Sequence, residues 1–212
     1  AVLLELIQGE GGVNVAQKEY IKDVQRICKS KDLLFIVDEI QTGMGRTAKL
    51  FCYEHYGVTP DIMTLSKGLG AGIPVAAFVV KKSISSVITP GMHASTFGGS
   101  PFVARVSREV FNIIEKEKIL GNVKEQGTYL FRVARKLQSR FSFIREVRGR
   151  GLMLGIELSV PSYPLFRAAL DKGLIINSTH GNVLRIMPAL NIDKKTLDKG
   201  LDILGEVLKN QK

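Results

Sequence analysis

Short apolar runs recur along the first part of the chain: "AVLLELI", "LLFIV" (Leu33–Val37), "IMTLSK" and "PVAAFVV". Each is shorter than an ordinary helix and reads as a strand; the unbroken apolar run of "LLFIV" is the pattern of one buried on both faces of a sheet. Between the first two, "YIKDVQRICKSKD" puts Ile21, Val24, Ile27 and Cys28 on one helical face. Strands alternating with helices predict an α/β domain with a mostly parallel sheet. A bare carboxylate at the end of such a run is costly. "LLFIVDEIQTG" nevertheless runs straight into Asp38 and Glu39.

Further on, "GGSPFVARVSREVFNIIEKEKIL" predicts a long helix, with Ser100 as N-cap and Pro101 at the first helical position. After Gly149, "GLMLGIEL" reads as a strand and "YPLFRAALDKG" as a helix closed by Gly173. "LIINS" and "NVLRIMP" read as a strand pair across "THGN", and "KTLDKGLDILGEVLKN" as a terminal amphipathic helix. The expected organisation is part of a large α/β domain over residues 1-120 and a smaller α+β domain over 121-212. The helices of residues 101–140 join them.

With 212 residues, 45% of them hydrophobic, the chain can bury a substantial core. No apolar run is long enough to cross a bilayer. The N-terminus lacks the basic start of a signal peptide. It opens inside an apolar run without a methionine, so the chain is expected to be part of a longer one. Cys28, Cys52 and three histidines have no metal-ligand spacing and form no disulfide framework. No metal is expected, the thiols are expected to be reduced, and the compartment cytoplasmic. The net charge of +10 raises nucleic acid as a partner. However, the basic residues are spread, densest from Lys124 to Arg150. There Leu130, Val133, Ala134 and Leu137 form an apolar stripe with Arg132, Arg135 and Lys136 off it, a solvated helix face. Neither nucleic acid nor membrane is expected as a partner.

In open α/β sheets ligands sit beyond the carboxyl ends of the strands. Three predicted strands end there in ionisable groups, Glu5, Asp38 and Lys67, beside the glycine-rich "GEGG" and "GLGAG". Glycines let backbone approach a ligand closely. "GLGAGIP" leads into a proline and a strand, which excludes a dinucleotide fingerprint. "GGSP" lacks the lysine of a nucleotide phosphate loop. A lysine and an aspartate at one pocket edge point to an aldehyde cofactor. The amine can form a Schiff base with pyridoxal phosphate (PLP), and a carboxylate at the pyridine nitrogen keeps that ring protonated. The ring's charge would match the buried acid's.

The motif series "ELIQGEGG", "FIVDEIQTGMGRT", "LSKGLGAGIPVAAFVV", "HASTFGGSP", "VRGRGLMLGIEL" and "GLIINSTHGNVLRIMPAL" resembles the class III, ω-amino-group aminotransferases. The acetylornithine branch is most similar and the ornithine branch next. The resemblance implies a PLP-dependent transferase of fold type I, usually a homodimer, of which this chain is roughly the C-terminal half. It assigns Lys67 as the Schiff-base lysine and proton shuttle, Asp38 as the partner of the pyridine nitrogen, and Gln41 as a donor to the ring's phenolic oxygen. Thr96 would reach the phosphate of the cofactor in the other subunit, with Ser95 near the substrate. Arg185 would grip the α-carboxylate of the keto acid, and Glu10 would be its switch partner; a static salt bridge is the plainer reading of that pair. Glu39 is expected to face away from Asp38, because neighbouring strand residues point to opposite faces, and His93 to support its loop.

The chain has Glu5-Leu6 where the family usually has Glu-Pro, and Ser100-Pro101 where it has Asn-Pro. The family's N-terminal half, outside these residues, supplies a phosphate turn, an aromatic ring stacked on the cofactor and a further substrate arginine. The implied reaction moves the distal amino group of N-acetylornithine to 2-oxoglutarate, in arginine biosynthesis. The alternatives are another class III reaction (ornithine, succinylornithine or 4-aminobutyrate transamination, or an aminomutase) and a non-catalytic basic binding fragment.

Overall fold

The structure, a computed structural model, describes residues 1–211. In chain order the elements are β1 (Val2–Glu5), β2 (Ile7–Gln8), β3 (Asn14–Val15), α1 (Lys18–Ser30), β4 (Phe35–Asp38), β5 (Ile62–Leu65), β6 (Ala77–Val80), α2 (Pro101–Lys116), α3 (Ile119–Arg140), β7 (Ile144–Arg150), β8 (Met153–Leu158), α4 (Tyr163–Asp171), β9 (Asn177–Thr179), β10 (Val183–Ile186) and α5 (Lys194–Lys209). They fall into two compact units. The first comprises Ala1–Leu6, Ala16–Gly45 and Lys49–Lys118; the second comprises Ile7–Val15, Arg46–Ala48 and the chain from Ile119.

The first unit holds a four-stranded sheet of order β1-β4-β5-β6. β1, β4 and β5 run parallel and β6 antiparallel, so the sheet is mostly parallel, as the alternating runs predict. Phe35, Val37, Met63 and Leu65 are buried along it. Helix α1 turns Ile21 and Cys28 inward, whereas Ile27, expected on the same face, is exposed. Leu33 and Leu34, expected in the strand, lie outside it and are exposed. The strand opens at Phe35, whose N–H is held by the Asp61 carboxylate at 2.9 Å.

"AVLLELI" is not one strand. β1 stops at Glu5, and Ile7–Gln8 pairs with Asn14–Val15 as a separate antiparallel ribbon. Leu6, fully buried at the break, offers its carbonyl to Ala16 N–H at 3.0 Å and to the Tyr56 hydroxyl at 3.0 Å. Those two donors replace the ladder that a continuous strand would have used. Ser100 stands at the N-cap of α2, with Pro101 at its first position, but the serine hydroxyl makes no capping bond. Residues 101–140 form two helices: α2 ends at Lys116, short of the Leu120 to which the quoted stretch runs, and α3 starts at Ile119, with Lys118 between them at φ 52°.

The second unit holds an antiparallel sheet of order β7-β8-β10-β9. β8 is buried throughout except Glu157, as its apolar sequence demands. Leu130, Ala134 and Leu137 of α3 are buried, Val133 of the expected stripe is half-buried, and Arg132, Arg135 and Lys136 are exposed. The Asp193 carboxylate accepts from Thr196 N–H at 2.7 Å and caps α5, a contact worth about 1 kcal/mol.

Candidate active site

Parallel register aligns Glu5 with Asp38 and Asp38 with Thr64. Residues paired in this way point to the same face of a sheet, so an acid, an acid and a hydroxyl form a row at the carboxyl ends of β1, β4 and β5. Asp38 is half-buried, and its Oδ1 accepts from Ile40 N–H at 2.8 Å. That bond bends the chain out of β4 and leads into Gln41, which is also half-buried. The Thr64 hydroxyl beside Asp38 is buried and has no hydrogen-bond partner among the described residues. An orphaned buried hydroxyl is uncommon and calls for a ligand or an ordered water.

Lys67 lies two residues past β5, on the exposed first position of a single 3₁₀ turn, Lys67–Leu69. Its φ is 45°, in the left-handed region that costs a non-glycine residue about 1 kcal/mol or more. Strain of this kind persists only where neighbours enforce it. The Ser66 hydroxyl donates to Val75 O at 2.9 Å, and a Cβ on Gly70 would come within 2.2 Å of Ile73 O. The turn after β5 is therefore closed by backbone contacts that only glycine permits at position 70.

Glu39 does face away from Asp38, into a buried pocket of its own. Only 1% exposed, its carboxylate accepts from the Thr42 hydroxyl at 2.5 Å and Tyr53 N–H at 2.8 Å. Burial raises its pKa above the usual carboxylate value, against the pull of those donors. Thr96 and Ser95 sit on an exposed loop. Ser95 Oγ accepts from Gly98 N–H at 3.1 Å, and no hydrogen bond among the described residues joins either hydroxyl to Asp38 or Lys67. His93 packs edge-on against Phe78, with ring centroids 5.6 Å apart.

In the second unit, Arg185 of β10 donates to the Glu10 carboxylate at 2.7 Å. The arginine side chain is 12% exposed and the glutamate side chain 70%. Glu10 stands on the tip between β2 and β3. Arg46 donates to Leu152 O at 3.0 Å and Pro188 O at 2.6 Å, near the ends of β8 and β10. Its burial brings the guanidinium down to about 10.

Across the chain, residues 1–208 match the family described as "Aminotransferase class-III". The chain belongs to the class-III aminotransferases. Among curated relatives it is 48% identical to an acetylornithine aminotransferase of Caldanaerobacter subterraneus subsp. tengcongensis, over 98% of this chain and 53% of that protein. Among solved structures it is similar to an acetylornithine aminotransferase from Elizabethkingia anophelis, with a TM-score of 0.92 and 35% identity over 99% of this chain and 54% of that one. It is also similar to an ornithine aminotransferase from Toxoplasma gondii, whose structure has partial occupancy of PLP at the active site. The TM-score there is 0.91 and the identity 33%, over 98% of this chain and 50% of that one. This class-III aminotransferase chain spans about half the length of the relatives it matches.

Sequence reasoning did not single out Thr64, Arg46, Arg148 or Thr179. Thr64 could have been found from register alone: an in-register neighbour of Asp38 needs only the two parallel strands to be aligned. The others bond partners far along the chain, which leaves no local pattern to read.

Proposed function

We propose that the protein containing this chain is a PLP-dependent aminotransferase that moves the distal amino group of N-acetylornithine to 2-oxoglutarate. The observation that carries the reading is the row at the carboxyl end of the parallel strands, Asp38 with Thr64 beside it and Lys67 just beyond. These residues fit the cofactor. A strand-end carboxylate suits a pyridinium nitrogen, the Thr64 hydroxyl, without a partner among the described residues, marks polar space beside it, and a strained lysine just before a glycine-rich turn suits covalent attachment.

When bound, PLP supplies a reactive aldehyde and an electron-accepting pyridinium ring. Asp38 would sit against the ring nitrogen, so that each charge offsets the other's burial. Gln41 would donate its amide to the phenolic oxygen. Lys67 would hold the cofactor through Nζ, and its amine would carry the proton at the substrate carbon. Thr96 would donate to the phosphate in the other subunit of a homodimer, with Ser95 near the substrate. Arg185 would take the substrate α-carboxylate through two parallel hydrogen bonds. Glu10 would cover that guanidinium when the donor presents its distal amine instead. Residues 1-120 would then be part of the PLP-binding large domain and 121-212 the small C-terminal domain. A cytoplasmic location accompanies the reading. Cys28 and Cys52 are both buried and neither is in a disulfide among the described residues, and no described helix is long and apolar enough to cross a membrane.

In a chain of full family length, borohydride reduction and peptide mapping should find the cofactor fixed on Lys67. Lys67→Ala should lower turnover by roughly 10⁴-fold or more. Label on another residue would end the site assignment. Failure to form glutamate from N-acetylornithine and 2-oxoglutarate would end the donor assignment. Ornithine is the second donor to test, because the likeness to the Toxoplasma enzyme covers the same residues.

A further inference from the structure

A glutamate that covers and uncovers Arg185 can move in two ways: the whole β2–β3 tip can swing, or the side chain alone can turn. The backbone of the tip is clamped. The Thr179 hydroxyl donates to Glu10 O. Asn14 Nδ2 donates to Gly11 O at 2.8 Å. Arg148 grips Gly12 O twice, through Nε at 3.0 Å and Nη2 at 2.8 Å. That guanidinium is itself held by Glu146 at 2.7 Å and by Glu157. Val13 follows, fully buried at φ 58° and seated on Gly155, where an added Cβ would lie 2.9 Å from the valine's own.

The Glu10 side chain is 70% exposed and meets Arg185. The pair is open to water on the glutamate's side only, since the Arg185 side chain is 12% exposed, and an incoming carboxylate that binds the guanidinium through two oxygens can displace the glutamate. Thr179 lies on β9 and Arg185 on β10, neighbouring strands joined in register. One strand therefore holds the glutamate's main chain while the next presents the group its side chain covers.

We propose that Thr179 is a positioning residue for donor selection. By fixing the Glu10 carbonyl it confines the gate to rotation of one side chain and sets the angle from which the carboxylate meets Arg185. The inference rests on the reading of Glu10 and Arg185 as a gate. It adds the residue that sets the geometry of that gate.

The test uses the full-length enzyme and single-turnover rates for the two half-reactions, N-acetylornithine against the PLP form and 2-oxoglutarate against the aminated form. Thr179→Val keeps the shape and removes the donor. It should shift the ratio of the two rates about tenfold, at the expense of N-acetylornithine and in the same direction as Glu10→Ala. Hydrogen exchange at the Gly9–Val13 amides should quicken, and Thr179→Ser, which retains the hydroxyl, should restore both. If Glu10→Ala moves the ratio and Thr179→Val does not, the gate stands and the positioning role is overturned. If Glu10→Ala itself leaves the ratio unmoved, the gate reading fails and the proposal with it. Should Thr179→Val not fold, Asn14→Ala loosens the same tip from an exposed residue through Gly11 O; an unchanged ratio and unchanged exchange there overturn the proposal.

Discussion

Asp38 and Glu39 are neighbours with opposite surroundings: one carboxyl ends a strand beside a partnerless hydroxyl, the other is sealed among donors. The sealed one leaves a signature in stability. Its folded pKa lies above the 4.5 of an ordinary glutamate, so between those values the folded state binds more proton than the unfolded one. Stability from this group is greatest below 4.5 and declines as pH rises through the higher folded value. Urea titrations of the wild type and Glu39→Gln should show their stability difference moving in favour of the glutamine as pH climbs through that window, then levelling. A difference independent of pH would rule out a carboxyl ionising in a buried site. The positions of Asp38, ending β4, and of Lys67, two residues past β5, were legible in the sequence because an ionisable group stands out at the end of an apolar run. Thr179 and Arg148 were not, because their carbonyl partners lie 169 and 136 residues away. Glu39 was legible as a direction, away from Asp38, but its donor Tyr53 is 14 residues on and beyond any strand pattern.

At the scale of elements, the parallel sheet is held at its other end by Asp61. Its carboxylate accepts from Phe35 N–H at 2.9 Å and Lys81 Nζ at 2.8 Å, and its main chain exchanges bonds with the same two residues. Partial burial raises its pKa, but the bonds from Lys81 and Phe35 outweigh that and hold it below the ordinary value of 3.8. The stability so gained is present above 3.8 and lost as pH falls through the lower folded value. Asp61→Asn should cost about 1 kcal/mol at neutral pH, the size of one partly exposed pair and one hydrogen bond. The cost should vanish in acid, as followed by thermal melts at several pH values. A loss that persists in acid would mean packing rather than charge. The strands of this sheet were legible because their sequences are apolar, although the burial on both faces expected of such runs is not met: buried and half-buried residues alternate along β4 and β5, and Leu3, Phe78 and Val79 are exposed. β7 was not foreseen as a strand. Its charged residues Arg145, Glu146, Arg148 and Arg150 surround only Ile144 and Val147, and the register shifts between Ile144 and Glu146, which removes the two-residue period. The break in "AVLLELI" escaped for the converse reason: an apolar run looks the same whether or not its chain changes sheets.

At the scale of the whole chain, the charge of +10 is distributed rather than gathered. Lys22, Arg26, Lys172 and Lys194 each pair with an acid at 2.7–3.0 Å. Retention on immobilised heparin should therefore be weak and lost by about 0.2 M salt. Tight retention at higher salt by a colourless protein would favour the polyanion-binding alternative. The path of the chain has a further consequence. It passes from one unit to the other after Leu6, Val15, Gly45, Ala48 and Lys118. No single cut yields either unit as an uninterrupted piece. A segment starting at Ile119 would leave behind the ribbon that Arg148 and Gly155 receive, and the arginine whose guanidinium ties Leu152 to Pro188. Homologous recombination between such proteins would thus preserve packing only if the short interleaved stretches travelled with their distant partners, which makes this architecture resistant to modular exchange.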